Sequence, residues 1–342
     1  MEALPLESLG RLDSRLDSRL DPGSEVLERA PDARATSAQA MSSMSSMSTA
    51  SGHPGQLNLA PLTPVPDLAP EPERPVDPPW GKVRASALAS AVAGFDKLAR
   101  YHRLEVRGLD RIPVDGPALL VGNHNGGLNP VDGLFLVHYY RTLGYDRPVY
   151  ILAHDILFRV KKMAQVLESV GIIRARKGQA RELLAAGHKV LVFPGGDIES
   201  MRPFRERRKI VLAERHGFIH LALRTGAPIV PVVSAGSHET LLILSQGTRM
   251  ARLMNLPRLA RLNSLPLLLA APWGLMWGPT CALPYLPLPA KITVQIGEPV
   301  TVDRCEEPQV HERTPPIYEH VQSSMQAILD DLYSERLFPI LG

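Results

Sequence analysis

Val121-Gly-Asn-His-Asn-Gly-Gly-Leu-Asn-Pro-Val-Asp132 joins an apolar run, Ala118 to Val121, to a helix-like segment, Gly133-Leu-Phe-Leu-Val-His-Tyr-Tyr140. The apolar run reads as a strand, the Gly/Asn/Pro cluster as a loop, and the apolar residues beyond Asp132 as the start of a helix. His124 is thereby placed at a strand end and Asp132 just ahead of a helix. A His there can take a proton near neutral pH, and a nearby carboxylate can orient its ring and stabilise the imidazolium. Gly126 and Gly127 let backbone approach a substrate with no Cβ in the way. The same residues also admit a purely structural reading, in which His124 ends a strand and Asp132 caps a helix.

Working outward, the pattern repeats. Lys82 to Arg100 carries Val83, Ala87, Val92, Phe95 and Leu98 at roughly helical spacing. It is expected as a core helix or one lying on a membrane surface. Leu104 to Gly108 alternates like a short strand, Pro148 to His154 reads as a buried strand, and Ile156 to Val170 as a helix opened by His154-Asp155. His154 itself reads as a capping or packed side chain. Gly171 to Arg174 is a strand, Lys177 to Ala186 a helix closed by Gly187, and Lys189 to Phe193 a strand stopped by Pro194. Phe218 to Arg224 looks helical, Ile229 to Val233 and Lys291 to Gly297 look like strands, and Ile317 to Leu332 is an amphipathic terminal helix. Short apolar strands alternating with helices predict an α/β domain, with a mixed, largely parallel sheet flanked by helices.

Composition sets the bounds. With 342 residues and 44% hydrophobic content the chain can build a sizeable core. Residues 1–80 hold six Arg and no Lys against twelve acids, whereas the remainder carries 32 basic and 23 acidic residues. Nine prolines between Pro54 and Pro79, a Met/Ser tract and a repeated Arg-Leu-Asp-Ser make residues 1–80 a low-complexity tail, expected to be disordered. Residues 81–342 form the expected folded domain. A basic folded part suits an anionic membrane surface or a phosphate-bearing substrate, and the lack of basic–aromatic interleaving argues against nucleic acid. Cys281 and Cys305 are too few for a disulfide framework or a Cys-based metal site. The acidic, Pro-broken N-terminus has no secretory character, so a cytoplasmic protein is expected, peripheral on the inner face of the membrane.

Leu265 to Ala290 contains no charged residue and no His, but six prolines leave no Pro-free run longer than six residues. An uninterrupted spanning helix is therefore not expected. Trp273, Met276, Trp277 and Tyr285 suit an interfacial loop or re-entrant turn, and a buried irregular segment is the competing reading. The sequence lacks a Gly-x-Ser-x-Gly elbow, a Walker Gly-x4-Gly-Lys, a Gly-x-Gly-x-x-Gly and a His-Glu-x-x-His, which removes the usual support for serine hydrolases, nucleotide hydrolases and zincins.

Gly171-Ile-Ile-Arg-Ala-Arg176, Val192-Phe-Pro-Gly-Gly-Asp197 and Ala227-Pro-Ile-Val-Pro-Val232 follow the His124 block in that order. Together the four blocks resemble those of the glycerolipid acyltransferases related to bacterial 1-acylglycerol-3-phosphate acyltransferase. The third block is similar to a branch reading Phe-Pro-Gly-Gly instead of Phe-Pro-Glu-Gly. The resemblance implies acyl transfer to a hydroxyl, with His124 as general base and backbone N–H groups of Gly195 and Gly196 meeting the oxyanion. It implies that Arg174 and Arg176 hold a phosphate of the acceptor or of the thioester carrier. The usual His-x4 spacing would pair His124 with Asn129, while related Gly-Gly sequences place the acid further on, at Asp132. Asp132 is the partner expected, because Asn129 cannot carry the charge that stabilises the imidazolium. The family's Glu and Arg tied to glycerol-phosphate binding fall on Gly195 and Ile198 here. A neutral glycerolipid or long-chain alcohol thus stands beside lysophosphatidate as a candidate acceptor, with Arg202 or Arg205 as a stand-in for the missing charge. Acyl-CoA or acyl carrier protein is the implied co-substrate, with no resident cofactor or metal. Two competing readings are a hydrolase in which His124 activates water, and a lipid-binding protein without turnover.

Overall fold

The computed structural model describes residues 83–338 apart from 126, 128, 257 and 259–262. The low-complexity tail and Gly126 lie outside the described residues. The strands are β1 (Glu105–Arg107), β2 (Ala118–Gly122), β3 (Val149–Ala153), β4 (Ile172–Arg174), β5 (Lys189–Val192), β6 (Ile229–Ala235), β7 (Leu242–Ser245), β8 (Leu267–Ala270), β9 (Gly274–Trp277) and β10 (Thr293–Ile296). The α-helices are α1 (Ala85–Tyr101), α2 (Phe135–Leu143), α3 (Lys161–Ser169), α4 (Lys177–Ala185), α5 (Gly196–Ser200), α6 (Gly217–Thr225), α7 (Thr248–Leu253) and α8 (Gln309–Ser334).

Seven strands form one sheet in the order β1-β10-β6-β2-β5-β3-β4, parallel except where β10 meets β6. The α/β architecture with a mixed, largely parallel sheet agrees with the sequence reading. β2 is buried along its whole length because both its faces are covered. Leu119 and Val121 point into a core shared with α4, α6 and α8, through Leu183, Ile219, Leu223, Val321 and Leu329. Ala118 and Leu120 point the other way, into a core shared with α1 and α2 through Leu88, Val92, Phe135 and Tyr139. The period of two along the strand thus divides one apolar run between two hydrophobic layers.

This topology decides where a ligand can sit. From β2 the chain crosses by α2 to β3, beyond β5, while from β5 it crosses by α6 to β6, on the far side of β2. Because α2 and α6 lie in different core layers, the two connections leave adjacent strands toward opposite faces. Such a switch point opens a crevice at the carboxyl ends of the strands. The residues after β2 are Asn123-His124, and those after β5 are Phe193-Pro-Gly-Gly.

Three expectations need correction. Leu265–Ala290 is neither a loop nor a re-entrant turn throughout: it supplies β8 and β9, which join β7 in a small antiparallel sheet. Inward-facing Ile243, Leu268, Ala270 and Met276 bury against Leu241, Cys281 and Tyr285. The outer positions Leu269, Leu275 and Trp277 are apolar and exposed, so no polar–apolar alternation marked these strands. The helix expected over Ile156 to Val170 is split into a 3₁₀ turn, Asp155–Phe158, and α3. His154 accepts from Ile156 N–H at 3.2 Å, as a cap. Finally, α8 begins at Gln309, eight residues before Ile317, and passes through Pro315 and Pro316. The carbonyls those prolines leave without i→i−4 donors belong to His311 and Glu312, both exposed to water.

Candidate active site

Asn123 sets the approach to the loop. Its side-chain amide donates to Ser234 O at 3.0 Å and its Oδ1 accepts from Ser234 N at 2.8 Å, extending the β2–β6 pairing by one residue. The next residue, His124, turns its ring onto Phe193, with centroids 4.9 Å apart and planes 25° from parallel.

Asp132 lies in the 3₁₀ turn Pro130–Gly133, and its carboxylate reaches back across the loop. His124 Nδ1 donates to Asp132 Oδ2 at 2.7 Å, the Asn125 backbone N–H donates to the same oxygen at 2.6 Å, and Asn125 Nδ2 donates to Oδ1 at 3.1 Å. Three donors and 5% side-chain exposure fix the carboxylate, whereas the His124 ring is 30% exposed. With Nδ1 committed to Asp132, Nε2 is the ring nitrogen left for another partner. Asn129 does not take this place: its Nδ2 is buried without a hydrogen-bond partner.

Gly127 adopts φ +64°, and a Cβ there would come within 2.8 Å of Leu241 Cδ2 and Tyr285 Oη. The loop is thereby pressed against the small sheet's core.

Arg202 is placed otherwise than the substrate-binding role expected of it. It is 2% exposed. Nε donates to Glu206 O (3.1 Å), Nη1 to His124 O (2.9 Å) and Glu199 O (2.8 Å), and Nη2 to Asn125 Oδ1 (2.6 Å) and Arg207 O (3.3 Å). All five guanidinium N–H groups are spent within the chain, so none remains for an acceptor phosphate. Burial lowers its pKa, opposed by Glu199. Neighbouring His238 is also buried, and desolvation together with Arg202 holds it well below the usual imidazole range. It is therefore neutral, and its Nε2 donates to Arg202 O at 2.8 Å.

Glu199, which the sequence did not single out, is fully buried. Its Oε2 accepts from His124 N at 2.9 Å and its Oε1 from Val211 N at 3.0 Å. Burial pushes the carboxyl up to about 7, against the pull of Arg202 and the two N–H groups. The available signal was the Gly at 195 where the related block has Glu; nothing in Asp197-Ile-Glu199 distinguished one acid from the other.

Of the two glycines expected at the oxyanion, Gly196 donates its N–H to Phe193 O at 3.1 Å, closing the turn. Gly195, between Phe193 and α5, is the one whose N–H is not used by that turn. Arg174 ends β4, three strands from β2 and on the order of 14 Å along the sheet edge. Its guanidinium lies over the Phe158 ring, 5.1 Å from the centroid, and donates to Phe158 O at 3.3 Å. Arg176 is exposed at the start of α4. The two arginines thus share the sheet's carboxyl edge with His124 without touching it. Among the described residues no group of three or more His, Cys, Asp or Glu side chains is placed to hold a metal ion.

A partly open imidazole held by a buried carboxylate at the carboxyl end of β2, beside a Pro-Gly-Gly turn, is an arrangement able to act as a general base. Residues 103–235 match the family model described as Acyltransferase. Over those residues the chain is similar to the Acyltransferase family. An uncharacterised protein of Mycobacterium tuberculosis is 35% identical over 236 residues, covering 67% of this chain and 62% of that protein. A human protein described as a DGAT1/2-independent enzyme synthesizing storage lipids is 26% identical over 237 residues, covering 68% of this chain and 62% of that protein. The chain therefore spans about three fifths of the length of these relatives. The solved 1-acyl-sn-glycerophosphate acyltransferase PlsC of Thermotoga maritima is similar with a TM-score of 0.45 at 16% identity, covering 73% of this chain and 81% of that one. No helix among the described residues is long and apolar enough to cross a membrane.

Proposed function

We propose that this protein transfers a fatty acyl group from an acyl thioester, acyl-CoA or acyl carrier protein, to a hydroxyl of a lipid acceptor. The observation that carries the reading is the 2.7 Å contact between His124 Nδ1 and a buried, triply bonded Asp132, beside a ring that stays partly open. His124 Nε2 takes the proton as the acceptor oxygen attacks the thioester carbonyl. The tetrahedral intermediate collapses by breaking the C–S bond, and the same proton goes to the departing thiolate. Asp132 stabilises the imidazolium between the two steps. The thioester is already activated, so no protein nucleophile is needed. Gly195 N–H is the backbone donor proposed for the oxyanion. Arg174 and Arg176 are proposed to hold phosphate of the donor's carrier at the far end of the edge.

A neutral glycerolipid or long-chain alcohol is the proposed acceptor class. Gly195 and Ile198 occupy the positions of the related block's Glu and Arg, and Arg202 has no free donor. The human relative's description, which names storage lipids, is in keeping with it.

The site is proposed to work against the inner face of a membrane. Leu269, Leu275 and Trp277 present an exposed apolar sheet face, with Arg249 and Arg252 exposed on the adjoining α7. On the other side of His124, after β3, Ile156, Leu157, Val160, Met163 and Val166 are exposed among Arg159, Lys161 and Lys162. An antiparallel sheet with one wet face ordinarily shows polar residues there. Apolar side chains edged with cations suit an anionic bilayer.

Incubating the protein with labelled acyl-CoA and a lipid extract, then identifying products by mass, tests the reading. An acylated lipid supports it; labelled free fatty acid alone indicates a hydrolase, and no turnover with any donor a binding protein.

A further inference from the structure

Position 195 has no room for a side chain. A Cβ built there falls 2.2 Å from Val211 O, 2.3 Å from Glu199 Oε2 and 2.4 Å from Glu199 Cβ. The space beside the Pro194-Gly turn is thus filled by Glu199, which enters from the first turn of α5. From there its two oxygens hold two separate segments by their backbone N–H groups: Oε2 holds His124, and Oε1 holds Val211. Arg202, three residues on, holds the carbonyl of the same His124 and the side chain of Asn125, which itself grips Asp132. Both backbone polar groups of His124 are therefore fixed by side chains of one short segment, 199–202. The His124 ring, by contrast, is held among the described residues by Asp132 and by stacking on Phe193.

We propose that Glu199 is a positioning residue for His124: its carboxylate sets the register of the general-base loop against the Phe193–Gly196 turn, and together with Val211 O it obliges position 195 to be glycine. The proposal rests on the acyl-transfer reading for its catalytic consequence, but not for its structural one. An amide in place of the carboxylate offers only one acceptor oxygen, so one of the two N–H groups must lose its partner or face an NH₂ donor. The loss falls on geometry between His124 and the acceptor, which matters at the transition state more than in substrate binding. Burial of Glu199 near Arg202 also leaves it titrating at about 7, so the two-acceptor form is the one present above neutrality.

The test uses the full-length chain with Glu199→Gln and Glu199→Asp, read by hydrogen exchange and by kinetics. Exchange of the peptide covering 121–134 is expected to quicken at least tenfold in Glu199→Gln, while peptides from β5 and α8 keep their protection. The kcat for acyl transfer should fall about 10- to 100-fold with KM within threefold. Unchanged exchange at 121–134 with wild-type kcat would overturn the proposal. So would general loss of protection in both variants, which would make Glu199 a residue of the fold alone. If wild-type protein turns over no substrate, the acyl-transfer reading fails, and the exchange measurement still decides whether Glu199 holds His124.

Discussion

Asp132 Oδ2 accepts from His124 Nδ1 and, 2.6 Å away, from the backbone of Asn125, so one oxygen fixes both the ring and the peptide that carries it. A single substitution there should disturb charge more than shape. Asp132→Asn removes the anion that supports the imidazolium and should lower kcat by roughly 10²–10⁴-fold. Asn129→Ala should cost less than about threefold, since Asn129 Nδ2 is buried without a hydrogen-bond partner. Steady-state kinetics of the two variants side by side check this; a larger loss in Asn129→Ala would return the partnership to the His-x4 position.

Arg202 should behave as a residue of the fold. Its five donors all end on this chain, and removing them takes the donor from His124 O and Asn125 Oδ1 and the neighbouring cation from buried Glu199. Arg202→Met should cost about 3–5 kcal/mol of stability, the usual effect of orphaning a buried charged group. Thermal denaturation is the measurement. A variant with wild-type melting behaviour and a raised acceptor KM would mean that Arg202 meets substrate after all.

The pH dependence of stability has a defined sign. Glu199 is pushed up to about 7 in the folded chain from its ordinary 4.5, so between those values the folded state holds a proton the unfolded state lacks. Stability attributable to this group is present below pH 4.5 and lost as pH rises through about 7, by roughly 3 kcal/mol at the outside. Glu199→Gln should flatten that part of the profile. Denaturant titrations of both proteins at pH 5 and 7.5 check it, and equal slopes would show that Arg202 and the two N–H groups offset the burial in full.

Membrane contact should depend on the exposed apolar faces. Trp273→Glu with Trp277→Glu, and separately Val160→Glu with Met163→Glu, should each reduce flotation with anionic vesicles several-fold while leaving far-UV circular dichroism unchanged. Mutants that float as well as the wild type would place these faces against something other than lipid.

Much of this was legible in the residues, for reasons that differ from element to element. β2, β5 and β6 announced themselves because a strand covered on both faces is a continuous apolar run, and Pro194 and Gly226 bound two of them. The His124–Asp132 pair was legible because its chemistry narrows the choice: only a carboxylate can support the imidazolium, and 132 holds the nearest one. β8 and β9 were not legible, since Leu275 and Trp277 face outward yet are as apolar as Leu268 and Met276 inside. Pro315 and Pro316 hid the start of α8, because sequence alone does not tell that the orphaned carbonyls meet water. Arg202 was expected to replace a missing substrate-binding charge, and its burial was not legible because it follows from contacts with His124 and Asn125, nearly eighty residues earlier.

In the proposed mechanism His124 Nε2 takes the proton of a lipid hydroxyl as it attacks an acyl thioester. Single-turnover transfer from labelled acyl-CoA into a lipid extract, followed in wild type and His124→Ala, tests it most directly. An acylated lipid is expected in the wild-type reaction, its rate of formation lowered by roughly 10²–10⁴-fold in the variant, with melting temperature nearly unchanged because the ring is partly exposed. An acylated lipid formed by His124→Ala at the wild-type rate would contradict it.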